Sequence, residues 1–339
     1  MKKKIRLAVV DFAHTEGYLV ERLLGFVSDR YTFELTEDRP DYILHSCFGY
    51  RALRFDGIRV FFSAENFLPD FNISDYAIGM HRLSLDDRYF RLPLYRLYPT
   101  YSALFAPREA SLLKRSNFCT CVVSNPEREA LFEDLFRSLL TYRPILSGGA
   151  LHNNMGGRVP NKIEFMEKGR FGLAIENSVA PGYITEKITG VFAARAIPIY
   201  WGAPDITRDF NPDSFVNLRD YASLEDAVTA IRAIDSDPSR LSIMAESPVF
   251  THGKEPDDLK AERIGDFLSS IFERDRQTAY RRNRMVRSRR YERELKTAIF
   301  KPHVQMVHLF RDSLRKLRKS KTFDPSLLRL NTPVTHRRH

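Results

Sequence analysis

The sequence predicts an α/β protein built from two doubly wound, Rossmann-like parallel blocks followed by a basic helical C-terminal tail. Three observations predict it. Short apolar runs bounded by turn residues recur through both halves and alternate with helical periodicity, the pattern of buried parallel strands and crossover helices. Residues 171–204 read as a complete strand, loop, helix and strand. Charge is divided unevenly: residues 274–339 hold 20 Lys/Arg and 5 Asp/Glu, whereas the preceding 273 residues hold 33 and 38.

Residues 5–10 are apolar and short enough for a buried strand, and residues 42–47, 59–62 and 76–78 repeat that reading. Between the first two, residues 17–28 place Leu19, Leu23, Leu24 and Val27 on one helical face. Residues 1–116 are thus a first block, closed by an irregular stretch, 82–116, that mixes arginines with Tyr89, Phe90, Tyr95, Tyr98 and Tyr101. A second block, 117–273, opens with a strand at 118–123, after which Pro126 initiates a helix running to residue 140. Residues 147–157 form a glycine- and asparagine-rich loop. After the 171–204 unit come a strand at 215–218 and helices at 224–234, 239–246 and 258–272. In the tail, 274–339, residues 302–319 are amphipathic: Val304, Val307, Phe310, Leu314 and Leu317 recur at helical spacing while Arg311, Arg315, Lys316, Arg318 and Lys319 crowd the second half.

The 171–204 unit carries the most chemistry. Its first strand is 171–175, its loop holds Asn177, Ser178, Pro181 and Gly182, its helix spans 184–195 and its second strand is 197–201. Polar residues gather where the first strand ends and the helix begins. Ligands of open α/β sheets bind at that edge, and a helix N-terminus attracts anions, so the unit is a candidate site for a phosphorylated ligand.

Composition excludes several classes. The acidic balance of the body does not suit a uniformly basic nucleic-acid binder, so no nucleic acid is expected as a partner. A basic amphipathic tail suits an anionic membrane surface, with docking on the body by its apolar stripe as the other reading. Three cysteines, Cys47, Cys119 and Cys121, give no disulfide framework, and the Cys119-Thr120-Cys121 run reads as core. The apolar run near the N-terminus is interrupted by Asp11 and His14, and no stretch reaches the length of a membrane span. A cytoplasmic protein, peripherally held at the inner membrane face, is the expectation. Phosphate-loop and dinucleotide glycine patterns are missing, and Asp235-Ser236-Asp237, ahead of Pro238, reads as helix capping rather than a metal site.

Several collinear motifs resemble the α1,3/4-fucosyltransferase family, bacterial type. They are Ile175-Glu176-Asn177-Ser178, Tyr183-Ile184-Thr185-Glu186-Lys187, the run 197–204 (IPIYWGAP) and the run 209–217 (DFNPDSFVN). In the first block, Ala64-Glu65-Asn66 and the runs 71–79 and 87–95 resemble the same proteins in the same order, as do the run 123–126 (VSNP) and Ser147-Gly148-Gly149. The likeness covers residues 5–270. The family's usual Cys-Phe before Glu-Asn is Ala174-Ile175 here. The resemblance implies a GT-B fold, two Rossmann-like domains facing across a cleft. It also implies an inverting transfer of L-fucose from GDP-fucose to a β-linked N-acetylglucosamine, usually within N-acetyllactosamine, in a glycan such as a lipopolysaccharide precursor. No metal is required, since two fixed cations can neutralise departing GDP.

Under that resemblance Glu65, at the end of a strand, is the expected base for the acceptor hydroxyl, and partial burial would raise its pKa usefully. Arg128 and Lys187, each in the first turn of a helix, are the expected diphosphate cations. Glu186 is expected on the ribose, with Tyr183 and Asn177 on the nucleotide or fucose. Two roles fit Glu176: stabilising charge on the sugar ring, as a catalytic residue, or accepting hydrogen bonds within its own loop. Tyr89, Phe90 and Tyr95 fit either an acceptor-stacking surface or the core.

Overall fold

The apolar runs become the strands of two parallel sheets, seen in a computed structural model that describes residues 2–14, 16–107, 110–124, 130–282 and 285–300. The first sheet contains β1 (Lys3–Val10), β2 (Tyr31–Leu35), β3 (Tyr42–His45), β4 (Ile58–Phe62), β5 (Tyr76–Gly79) and β6 (Tyr89–Arg91), with α1 (Gly17–Gly25) between β1 and β2. Its spatial order is β2-β1-β3-β4-β5-β6. The second contains β7 (Asn117–Cys121), β8 (Ile145–Ser147), β9 (Gly169–Ile175), β10 (Ile197–Trp201) and β11 (Val216–Asn217), in the order β11-β10-β9-β7-β8. Its helices are α2 (Ala130–Leu140), α3 (Lys162–Met166), α4 (Glu186–Ala193), α5 (Leu224–Asp235) and α6 (Pro238–Glu246). The expected two-block α/β class is therefore what the chain forms.

β4 and β5 are buried at every position, which is why, Arg59 apart, they read as apolar runs. β9 and β10 pair from Phe171 with Ile197 to Ile175 with Trp201, and α4 lies over them through Ile188, Val191 and Phe192. The other face is covered by α2, α5 and α6 through Phe132, Ile231 and Leu241. Asp237 caps α6, accepting the Ser239 and Arg240 amides at 3.0 and 3.1 Å, as its position before Pro238 predicts. Cys119 and Cys121 are core residues.

The C-terminal part of the chain crosses back. Helix α7 (Ala261–Glu273) does not cover the second sheet, the block to which its position in sequence assigned it. Ile264, Leu268, Ile271 and Phe272 pack with Ile5, Leu7, Leu23 and Leu44 on the first sheet. Phe272 meets the rings of Tyr31 and Tyr42 edge-on at 5.2 and 5.0 Å. The next helix, α8 (Arg276–Ala279), continues there, so the compact body ends at Arg282 rather than at residue 273. Arg274 and Arg281 pair with Asp87 at 2.6 and 3.0 Å, and Arg282 is buried against Asp75. These arginines of the expected basic tail thus serve the fold. A second unit begins at residue 283 and includes α9 (Val286–Phe300), on which Arg287, Arg289, Arg290 and Arg293 are exposed. The amphipathic stretch 302–319 lies outside the described residues.

His45, at the end of β3, gives a pH prediction. It is buried, its Nε2 lies 3.0 Å from Ser74 Oγ, and burial together with the charge of Arg59 pushes its pKa down to about 3. The folded pKa is below the unfolded value of about 6.5, so the unfolded chain takes up the proton first. Stability is then whole above pH ~6.5 and is lost as pH falls toward ~3, at up to ~1.4 kcal/mol per pH unit from this residue. Urea midpoints measured at pH 7 and pH 5 are expected to differ more in the native protein than in His45→Gln; equal differences would show that His45 contributes nothing.

Candidate functional site

Doubly wound sheets bind ligands outside the carboxyl ends of their strands, where the strand order reverses. That point lies between β1 and β3 in the first sheet and between β7 and β9 in the second. Glu65 follows β4, which pairs with β3. Glu176 and Asn177 follow β9, and Glu186 and Lys187 open α4. Arg128 lies outside the described residues.

Glu176 is 2% exposed. Its Oε1 accepts the Thr185 N–H at 2.8 Å, and its Oε2 accepts the Thr185 hydroxyl at 2.7 Å and Lys187 Nζ at 2.9 Å. Thr185 precedes α4 without capping it through its own side chain. The carboxylate of Glu176 supplies that negative group at the helix N-terminus, where the dipole favours one. Both of its oxygens accept protein donors, the arrangement of the loop-ordering role. Lys187 gives a second contact to Thr185 Oγ1 at 3.2 Å and remains 17% exposed, with its third donor turned to neither partner.

Glu186 is half-buried and close enough to Tyr18 and Tyr98 that its charge, after burial, holds both hydroxyl pKa values up. Those two rings meet edge to face at 5.5 Å, and both belong to the N-terminal half of the body. Asn177 is exposed. Tyr183, expected on the nucleotide or fucose, is 2% exposed and packed in the cluster of Met80, Leu94 and Leu97. Gly182 is the reason. With φ at +81° it turns the loop onto the N-terminal half so closely that a Cβ there would lie 2.5 Å from the Met80 carbonyl.

Glu65 is exposed, whereas partial burial was expected. Its N–H is held by Ser63 Oγ at 3.0 Å, and Ser63 Oγ also lies 3.3 Å from Cys47 Sγ, just past the end of the neighbouring strand β3. Glu65 stands just past the end of β4. The buried acid nearby is Glu16, whose pKa is raised by burial and also by the charge of Glu65, against a hydrogen bond from Ala13. Tyr89 and Tyr95 are core residues at 7% and 0% exposure, and Phe90 packs on Phe267 at 5.2 Å. Of the two roles open to these aromatics, packing is the one they fill.

Sequence reasoning missed the polar belt that joins the two halves. Asp209, 1% exposed, accepts from Arg91, from Arg82 Nη2 at 2.7 Å and from the Tyr95 hydroxyl at 3.1 Å. Asp205 accepts from Arg82 and from the Gly182 N–H at 2.8 Å. Arg91, Tyr95 and Asp209 all sit inside the collinear motifs, and charged residues within otherwise apolar runs were the available signal. Lys162 at the start of α3 was also missed. Burial pushes its ammonium pKa down while the charge of Glu186 opposes, which places a second lysine beside α4.

Two family profiles match this chain. The alpha-(1,3)-fucosyltransferase FucT N-terminal domain matches residues 7–98, and the C-terminal part of glycosyltransferase family 10 (fucosyltransferase) matches residues 112–242. The chain belongs to the glycosyltransferase family 10 fucosyltransferases. The alpha-(1,3)-fucosyltransferase FucT of Helicobacter pylori is 33% identical to this family member over 265 residues, covering 67% of this chain and 55% of that protein. Alpha-(1,3)-fucosyltransferase B of Drosophila melanogaster is 29% identical over 174 residues, 44% of this chain and 39% of that one. The chain thus spans about half, or less, of the length of these curated relatives. A crystal structure of an alpha1,3-fucosyltransferase superposes with a TM-score of 0.74 at 29% identity, covering 84% of this chain and 94% of the other. One with GDP-fucose superposes at 0.70 and 28% identity, covering 81% and 92%. The fucosyltransferase fold, of GT-B type, is therefore that of the family 10 chain described above. The two profiles fall one on each sheet, with the base candidate Glu65 under the first and the α4 cluster under the second.

Proposed function

We propose that this chain transfers L-fucose from GDP-fucose, with inversion, to O3 of N-acetylglucosamine in an N-acetyllactosamine-type glycan. The observation that carries this reading is its match, over 81% of its length, to an alpha1,3-fucosyltransferase structure with GDP-fucose. The roles proposed are these. The acceptor oxygen attacks the anomeric carbon as the bond from that carbon to the β-phosphate oxygen breaks; Glu65 takes the hydroxyl proton and GDP leaves with the bonding pair. Lys187, with a donor to spare, faces the departing diphosphate, and Arg128 is proposed to join it. Glu186 and Asn177 hold the ribose and the sugar. No divalent metal is required in this scheme. On the acceptor side, Phe48, Tyr50 and Phe67 are 51%, 46% and 52% exposed on loops leaving the same sheet edge as Glu65, and offer apolar faces to a sugar ring.

The test is GDP release from GDP-fucose and N-acetyllactosamine with EDTA present. Turnover is expected, as is a rise in melting temperature on adding GDP. No release together with no thermal shift would sink the reading. Glu176→Gln separates the two roles considered for that residue. Loss of its charge frees Lys187 from its partner, so GDP affinity is expected to weaken by roughly tenfold, as for a disturbed charge-assisted contact. If kcat falls instead at unchanged GDP affinity, Glu176 acts on the transition state after all.

Among the described residues no helix is long and apolar enough to cross a membrane. We propose that the stretch after Arg282, with its exposed arginines on α9, brings the enzyme to the anionic cytoplasmic membrane surface, where a lipid-held glycan such as a lipopolysaccharide precursor would be the acceptor. A chain ending at Arg282 that sediments with phosphatidylglycerol vesicles as well as the full chain does would refute this.

A further inference from the structure

Glu65 itself is poorly restrained. Among the described residues its carboxylate makes no hydrogen bond or ion pair, so its aim depends on the backbone that carries it. The residue that fixes this backbone on its far side is Asn66. Its Nδ2 donates to Ser178 Oγ, 112 positions along the chain, and its Oδ1 lies 2.7 Å from His81 Nε2. Ser178 belongs to the loop of Glu176 and Asn177, so this one amide touches the base loop, the α4 loop and the turn after β5. His81 is a firm anchor. It is 7% exposed, burial lowers its pKa so that the ring is neutral, and its carbonyl accepts the Tyr89 hydroxyl at 2.7 Å. An amide suits the place because it donates and accepts at once; a carboxylate of the same shape lacks the donor that Ser178 Oγ takes.

We propose that Asn66 is a positioning residue that clamps the Glu65 loop to the donor loop and so sets the distance between the base and the sugar to be transferred. This rests on the reading of Glu65 as the base. Misplacing a reacting group by about 1 Å costs on the order of 10² in rate. Asn66→Ala is therefore expected to lower kcat by roughly 10- to 100-fold while KM for GDP-fucose stays within about threefold. Ser178→Ala should lower kcat in the same sense, and the double variant should lose no more than Asn66→Ala alone, because Asn66→Ala already removes the bond that Ser178→Ala breaks. A general loss of packing would instead lower the melting temperature and move both constants.

Hydrogen exchange in the unliganded protein provides a reading independent of transfer. Amides 64–68 are expected to exchange faster in Ser178→Ala than in the native chain at equal melting temperature. Unchanged exchange there, unchanged kcat in Asn66→Ala, or fully additive losses in the double variant would each overturn the clamp. A native chain that transfers no fucose yet shows the exchange effect would separate failure of the proposed reaction from failure of the clamp.

Discussion

Glu65→Gln is expected to lower kcat by about 10²- to 10⁴-fold, the usual loss when a positioned general base is removed. The amide keeps the shape of the side chain but cannot take a proton at neutral pH. The site lets the result be read cleanly. Glu65 is exposed, and its carboxylate is held by no donor among the described residues, so neither the fold nor the Asn66 contacts depend on its charge. Melting temperature and GDP affinity should therefore match the native chain. The negative charge of Glu65 also helps to raise the pKa of Glu16, so its removal should let Glu16 titrate nearer the ordinary carboxylate range. A kcat within threefold of native, measured at saturating GDP-fucose and acceptor, would remove Glu65 from the chemistry.

Asp209→Ala is expected to be the most damaging change to stability, by about 3–5 kcal/mol, the loss seen when one partner of a buried ion pair is deleted. Asp209 is 1% exposed and is shared by Arg82, Arg91 and the Tyr95 hydroxyl. Arg91 is itself buried and would retain Asp258 at 3.1 Å, a more exposed carboxylate. Arg82 would retain Asp205. The cost comes from two guanidinium groups that lose their common anion where water cannot replace it. Asn is expected to recover part of the loss by keeping the Tyr95 contact. A urea unfolding midpoint that falls by the equivalent of less than about 1 kcal/mol would show that water or a neighbouring carboxylate compensates. The same variant should weaken GDP binding, because Arg82 joins Asp209 to Asp205 and Asp205 holds the Gly182 amide of the α4 loop.

The sheets were legible because parallel strands buried on both faces leave apolar runs, as β5 and β10 show. β2 was not. It is an edge strand with Thr32 exposed and Glu34 half-exposed, so its five residues lack such a run. The stretch from Arg82 to Ser116 gave no period because ion pairs to residues more than a hundred positions away, such as Arg91 to Asp209, shape it. The stripe of α7 was readable from Ile264, Leu268 and Ile271, but a stripe does not say which sheet it covers. At the site, residue types and spacing placed Glu65 at a strand end and Glu186 and Lys187 in the first turn of a helix. They could not tell that Glu176 would turn inward to cap α4, or that Gly182 would tip Tyr183 into the core. Both outcomes follow from the backbone path of one loop, which side-chain chemistry does not encode.

The return of α7 and α8 to the first sheet has a consequence for how the chain is made. On the ribosome the segment 117–246, which contains the whole second sheet and helices α2 to α6, emerges as one continuous piece and can fold as soon as it is out. The first sheet is synthesised earlier yet waits for Phe272 to cover Tyr31 and Tyr42 and for Arg282 to meet Asp75. Until then β1 to β6 present an apolar face only partly covered, by α1 and residues 92–97, of the kind that chaperones hold. Premature termination between residues 247 and 260 should therefore leave the second half folded and the first aggregation-prone, even though every residue of the first sheet is present.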